Sequence, residues 1–322
     1  MKHFLSILDT PQDALLSILW RAIELRDAAR ARLPHDAPQR RLLAGRTLAC
    51  LFGKPSLRTR VSFEQAMRRL GGTAMSLSQS EVGLGERESP EDAARVLSGM
   101  VDGIMARVSD HDTVVRLAAG SSVPVINGLS DLAHPAQALA DILTLMDEFA
   151  PVSPGGSGGG PEALAGRTVA FVGDGNNVAR SLAVACARLG MRFVLCSPER
   201  YAFRPEWIEK VRSRVGRFDF EAVTKPAEAV ARADAVYCDT FISMGQEAET
   251  AKRLRHFAGY QVNETLLANA PSHAIVLHCL PAHRGVEITD GVMDGPRSRV
   301  FQQAHNRLDA QVGLLAELLG GR

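Results

Sequence analysis

The sequence predicts an α/β protein of two doubly wound parallel-sheet domains joined by helices, with a C-terminal helix closing back on the first domain. Three observations carry this prediction. Short apolar runs alternate with amphipathic ones, as βαβ units and parallel sheets require. The runs fall into two series, on either side of the Gly-, Pro- and Ser-rich stretch at 151–161. A chain of 322 residues with 46% hydrophobic content and 28 glycines can also bury two ordinary cores.

The first series has strand candidates at 47–52, 73–77, 103–108 and 123–126. After the first of these, Pro55-Ser56-Leu57-Arg58-Thr59-Arg60 packs hydroxyls and guanidiniums into one turn, and Val61, Phe63, Met67 and Leu70 then recur at roughly helical spacing. A helix therefore starts near Ser56. Its first N–H groups have no intrahelical acceptor and the helix dipole is positive there, which suits a phosphate. A Ser-capped helix with solvated arginines fits the same letters. Arg107 closes the third strand, as a ligand clamp or an interdomain salt bridge. His134-Pro135-Ala136-Gln137 opens a helix at 135–149 that connects the domains, and 151–161 is a flexible loop.

The second series runs through 168–172, 192–196, 235–238 and 274–277. Its first strand leads into Gly173-Asp174-Gly175-Asn176-Asn177-Val178. A dinucleotide fingerprint wants a third glycine where Val178 stands. The turn otherwise presents Asn176 and Asn177 to a crevice at the strand's C-terminal end, or the two asparagines satisfy local turn hydrogen bonds. Asp239 follows the third strand and precedes the polar loop Ser243-Met244-Gly245-Gln246-Glu247. His278-Cys279-Leu280-Pro281-Ala282-His283 ends the fourth. Zinc held by His278, Cys279 and His283 would lack a fourth ligand and a CxxC partner. An amphipathic stretch at 306–319 is the closing helix.

Charge and cysteine usage exclude several classes. Lys plus Arg number 37 against 36 Asp plus Glu, so no global field draws the chain to nucleic acid or a membrane. Cys50, Cys186, Cys196, Cys238 and Cys279 are odd in number and scattered, as reduced thiols of a cytoplasmic protein are. The N-terminal apolar run is too short for a signal peptide, and no stretch approaches the roughly 20 apolar residues of a membrane span.

Taken together, these segments resemble the aspartate and ornithine carbamoyltransferase family through nearly the whole chain. Phe52 to Arg60 resembles its carbamoyl phosphate signature, His134 to Gln137 its His-Pro-x-Gln element, and His278 to Pro281 its His-Cys-Leu-Pro loop. Gly173 to Asn177, Asp239 and Ser243-Met244-Gly245 resemble the ornithine branch. The resemblance implies carbamoyl transfer from carbamoyl phosphate to the side-chain amine of L-ornithine, giving L-citrulline and phosphate. It implies no cofactor, no metal, and a homotrimer or a multiple of trimers. It also implies a carbamoyl phosphate-binding domain at 1–148, an ornithine-binding domain at 149–304, and a returning helix at 305–322.

By the same resemblance, Ser56, the Leu57 N–H, Arg58, Thr59 and Arg107 hold phosphate. His134, with Thr59 and Arg107, faces the carbonyl oxygen, Gln137 takes the carbamoyl NH2, and Cys279, Leu280 and Arg307 border the same ligand. Asp239 and Cys279 flank the attacking amine, while Asn177, Asp239, Ser243 and Met244 hold the amino acid. Arg107, His134, Asp239 and Cys279 are thus the expected catalytic residues. Ser80 to Ser89 resembles a loop that reaches a neighbouring subunit.

This chain departs from the family pattern at Gly53, Leu57 and His305. Leu57 keeps N-acetylornithine and N-succinylornithine open as acceptors, whereas Ser243-Met244-Gly245 beside Asp239 suits a free α-ammonium. A nicotinamide oxidoreductase and a non-catalytic paralogue are the readings from other classes.

Overall fold

Two parallel sheets organise the computed structural model, which describes residues 1–31, 34, 37–152, 159–243 and 245–321. They belong to two units, Met1–Leu143 with His305–Arg322, and Thr144–Ala304.

The first sheet contains β1 (Thr47–Phe52), β2 (Thr73–Ser78), β3 (Gly103–Arg107) and β4 (Val125–Leu129), in the order β2-β1-β3-β4. The chain leaves β1 on one side to form β2 and crosses back to form β3 on the other. The switch point therefore lies between the C-terminal ends of β1 and β3, where open α/β sheets bind ligands. Phe52 pairs with Arg107 at that end. Leu48, Ala49, Cys50, Ile104, Met105 and Ala106 are buried, as a parallel strand covered on both faces requires.

Helix α1 (Gln12–Arg30) precedes the sheet, and α2 (Leu57–Arg69) follows β1. Short α3 (Gln79–Val82), α4 (Pro90–Ser98) and α5 (His111–Gly120) link β2, β3 and β4, and α6 (Pro135–Phe149) follows β4. Phe63, Met67 and Leu70 are buried as their spacing predicts, each side chain contributing about 1.5–3 kcal/mol. Val61 is the exception, 48% exposed, because it lies two residues from Phe63 and so falls on the other side of the helix.

The second unit has β5 (Thr168–Val172), β6 (Arg192–Cys196), β7 (Phe220–Val223), β8 (Ala235–Cys238) and β9 (Ile275–His278), ordered β7-β6-β5-β8-β9. Its switch point lies between β5 and β8. Strand β7 was not among the predicted ones: it is an edge strand whose Phe-Glu-Ala-Val sequence is half exposed and offers no apolar run. Helices α7 (Asn177–Arg188), α8 (Pro205–Val215), α9 (Pro226–Val230), α10 (Thr250–His256), α11 (Glu264–Leu267) and α12 (Asp290–Met293) complete this unit. The long α13 (Val300–Leu319) starts six residues before the predicted 306, because Val300 and Gln303 in its first turn are buried too. The unit boundaries fall within α6 and α13.

Most other strand limits agree with the sequence to within one residue. Strand β4 starts two residues later than predicted, at Val125, since Pro124 has no N–H and only its carbonyl joins the ladder, accepting from Ile104. All five cysteines are free thiols. Of the loop expected at 151–161, residues 153–158 lie outside the described residues.

Candidate active site

In the first unit, the sequence signature becomes a helix N-terminus at the switch point. Ser56 is the N-cap of α2, with extended backbone; its Oγ accepts from the Thr59 N–H at 3.4 Å and donates to Thr59 Oγ1 at 3.0 Å. The capped-helix reading is therefore correct as geometry, and it leaves the N-terminal N–H groups of α2 at the end of β1. Leu57 is the first helical residue; its side chain is 75% exposed, so its backbone is the part suited to a ligand.

Thr59, Arg107, His134, Gln137 and Arg307 are all buried. Arg307, on α13, joins three of them: Nη2 donates to Thr59 Oγ1 at 3.2 Å, and Nη1 donates to Gln137 Oε1 at 2.7 Å and lies 3.4 Å from His134 Nε2. Gln137 Nε2 donates in turn to Asp141 Oδ1 at 2.9 Å. Burial first, and then the cations Arg307, Arg107 and Arg58, hold His134 well below the ordinary imidazole value. The ring is neutral. Its Nε2 faces the Arg307 guanidinium, and its Nδ1 is buried. A neutral donor among three arginines suits a ligand with a phosphate and a polarised carbonyl.

In the second unit, Asp239 follows β8 and is held on both carboxylate oxygens. Oδ2 accepts from Asn176 Nδ2 at 2.8 Å, while Oδ1 accepts from the Thr240 N–H at 2.8 Å and from Cys279 Sγ at 3.0 Å. Asn176 is also the N-cap of α7, its Oδ1 accepting from the Val178 and Ala179 N–H groups. Asn177 Oδ1 accepts from the Val178 N–H as well, so both asparagines satisfy the turn locally while Asn176 reaches Asp239. The turn needs Gly175, since a Cβ there would meet the Tyr201 carbonyl oxygen at 2.7 Å. Ser243 donates its N–H to Gln246 Oε1 at 3.1 Å, and Met244 lies outside the described residues.

The loop after β9 is fixed by a buried carboxylate that the sequence reading did not find. His278 Nδ1 accepts from the Leu280 N–H at 2.9 Å, which places the ring proton on Nε2, 3.3 Å from Glu287 Oε1. Glu287 also accepts the His283 N–H. Leu280, with φ of 58°, sits in the left-handed region that costs a non-glycine residue about 1–3 kcal/mol, and the His278 bond helps hold it there. Gln303 braces this strand end from α13, accepting from the His278 N–H at 2.8 Å and donating to the Tyr237 hydroxyl at 3.0 Å.

The donor atoms of Asp239, His278 and Cys279 lie within 4.8 Å of one another. Asp239, not His283, is the third member of this cluster, since His283 Nδ1 pairs with Thr240 Oγ1 at 2.9 Å. Both ring nitrogens of His278 are already engaged, so these three do not form a ready metal site. A cavity of about 500 Å³ lies away from this chemistry, at the opposite end of α2, lined by Gln65, Arg68, Arg69 and Leu70 with residues of α1 and α13.

Asp141, Glu287 and Arg253 are the residues that sequence reasoning did not single out. Arg253 is buried against Asp174 of the β5 turn and stacks over the Tyr201 ring at 4.6 Å. Of the two asparagines that the sequence offered to the crevice, Asn176 is the one whose side chain reaches Asp239.

Two doubly wound units, each with a polar cluster at its switch point, define a two-part α/β ligand-binding protein. The chain belongs to the aspartate/ornithine carbamoyltransferase family: the model of its carbamoyl-P binding domain matches residues 2–147, and that of its Asp/Orn binding domain matches 165–318. The chain is 46% identical to the ornithine carbamoyltransferase of Methanopyrus kandleri, covering 99% of this chain and 97% of that protein. It is 45% identical to that of Archaeoglobus fulgidus, covering 99% and 98%. The solved ornithine carbamoyltransferase of Pyrococcus furiosus superimposes with a TM-score of 0.90 at 43% identity, over 100% of this chain and 98% of that one. The family and fold expected from the sequence are those found.

Proposed function

We propose that this protein is an ornithine carbamoyltransferase, converting carbamoyl phosphate and L-ornithine to L-citrulline and phosphate. The observation that carries the reading is the buried Arg307 fork, which gathers Thr59, His134 and Gln137 around one guanidinium in a chain similar to ornithine carbamoyltransferases over its full length. Residues 1–148 bind carbamoyl phosphate, 149–304 bind ornithine, and 305–322 return Arg307 to the first ligand. Ser56, the Leu57 N–H, Arg58, Thr59 and Arg107 hold the phosphate, each charge-assisted bond contributing about 1.5–3 kcal/mol. His134 and Arg107, with Thr59, stabilise negative charge on the carbonyl oxygen as it develops. Gln137 accepts from the carbamoyl NH2, and Cys279 and Leu280 border that group.

Asn177, Asp239, Ser243 and Met244 hold the α-ammonium and α-carboxylate of ornithine. The side-chain amine must lose a proton from a group that titrates near ~10 in the free amino acid, by comparison with lysine. Asp239 and Cys279 orient it. Its lone pair attacks the carbonyl carbon, the tetrahedral intermediate expels phosphate by breaking the C–O bond, and the departing phosphate takes up a proton. No covalent enzyme intermediate is needed, so positioning and electrostatics carry the rate. We further propose a homotrimer, or a multiple of trimers, working in the cytoplasm and serving arginine biosynthesis. No helix of the described residues is long and apolar enough to cross a membrane.

A citrulline-formation assay with carbamoyl phosphate and ornithine, N-acetylornithine, N-succinylornithine, putrescine or aspartate tests the reading. Turnover is expected with ornithine. Preference for an acylated acceptor would overturn it.

A further inference from the structure

Asp141 is 0% exposed on α6, one helical turn beyond Gln137. Its Oδ1 accepts from Gln137 Nε2 at 2.9 Å, while Arg307 Nη1 donates to Gln137 Oε1 at 2.7 Å. Guanidinium can only donate, and Asp141 Oδ1 accepts. The two neighbours therefore leave the Gln137 amide one orientation. Inverting it would set its NH2 against Arg307 and its oxygen against the Asp141 carboxylate, opposing like partners on both sides in a buried site where each unmade bond is costly. With Asp141 behind it, Gln137 turns an acceptor toward the cluster of Arg307, His134 and Thr59.

We propose that Asp141 is a positioning residue which, by fixing the donor–acceptor sense of Gln137, makes this site select carbamoyl phosphate over acetyl phosphate. The inference rests on the function proposed above. The two compounds share a phosphate and a carbonyl, and differ in NH2 against CH3. A fixed acceptor gains an N–H···O bond from the first and faces a methyl group in the second. Sites built to hydrogen-bond a ligand group reject the analogue that lacks it far more strongly than an apolar pocket rejects an extra methylene.

Calorimetric titration of the full-length protein with carbamoyl phosphate and with acetyl phosphate tests this without requiring turnover. Asp141→Leu, which removes the partner of Gln137 Nε2, is expected to weaken carbamoyl phosphate at least tenfold while acetyl phosphate changes less than threefold. Asp141→Asn, which keeps an acceptor oxygen, is expected to restore selectivity to within threefold of the native ratio. Equal weakening of both ligands would reduce Asp141 to a packing role, and unchanged selectivity would remove it altogether; either overturns the proposal. Asp141→Leu/Gln137→Met leaves no amide unpaired and covers the case in which the single variant misfolds. Its selectivity is expected to match that of Gln137→Met alone. A further fall from adding Asp141→Leu would show that Asp141 acts by another route. Citrulline formation by the native protein separates the two claims: its absence sinks the function, whereas its presence with undiminished selectivity in the variants sinks only the role of Asp141.

Discussion

Asn176 donates its side-chain amide to Asp239 at 2.8 Å, so the residue that caps α7 also fixes one oxygen of the carboxylate beyond β8. The two tasks can be separated by substitution. Asn176→Ala removes both, at about 1 kcal/mol for the cap and about 1.5–3 kcal/mol for the bond to a charged group. Asn176→Ser keeps a capping oxygen but is too short to reach Asp239. Urea unfolding is expected to show the larger loss of stability for Ala, whereas steady-state kinetics should show a raised KM for ornithine in both. A normal ornithine KM in Asn176→Ser would disconnect Asn176 from the acceptor.

The residues that the sequence revealed are those whose signal is local. Ser56 at a strand-to-helix junction, Arg107 at a strand end and His134 before a helix announce themselves by position, and the structure puts all three at one switch point. Alternating apolar runs likewise located eight of the strands, and the half-exposed β7 escaped because its pattern is that of an edge. What stayed hidden depends on long-range pairing. Nothing near Glu287 marks it as the acceptor for His278, and Asp141 reads as one of several polar letters in a largely apolar helix until Gln137 is seen against it. Arg307 could be placed only through the family resemblance, because its partners are 170 to 248 residues away in the chain.

His134 couples folding to pH. Its folded value is depressed below the ordinary imidazole value of about 6.5, so between the two the unfolded chain binds more protons than the native one. Native stability therefore falls as pH drops from about 6.5 toward the depressed value, by up to about 1.4 kcal/mol per pH unit of that window, and is unaffected above it. His134→Asn lacks this loss. Unfolding midpoints of the native protein and the variant should converge between pH 7.5 and pH 5, and parallel pH profiles would show that His134 is not held neutral.

Arg253 and Asp174 form a buried ion pair, with side chains 3% and 14% exposed. Burial raises the Asp174 carboxyl, and Arg253 opposes that shift. Removing the cation alone, as in Arg253→Met, strands a carboxylate and is expected to cost about 3–5 kcal/mol. Adding Asp174→Asn should recover part of it. Asp174 would then sit higher still in the single variant, so the native form of that variant binds the extra proton and its deficit shrinks as pH falls through the folded value toward 3.8. Urea titrations at pH 7.5 and pH 5 measure both effects, and an equal deficit at both would deny Asp174 this environment.

Leu57 and Val61 stand one turn apart on α2 with 75% and 48% of their surface exposed, immediately beside the residues proposed to hold phosphate. Apolar side chains at such a position gain about 25 cal/mol for each Å² of apolar surface that a second chain covers. If the proposed trimer covers this face, a carboxylate at each position would have to be buried without a designed partner. Sedimentation velocity is expected to report three chains of 34.7 kDa, or a multiple, for the native protein, and a lighter species for Leu57→Asp/Val61→Asp. Circular dichroism at matched concentration shows whether the variant is still folded. A native monomer with full citrulline-forming activity would remove the trimer from the mechanism. A folded, fully trimeric double variant would instead place the subunit contact elsewhere and leave these side chains to solvent.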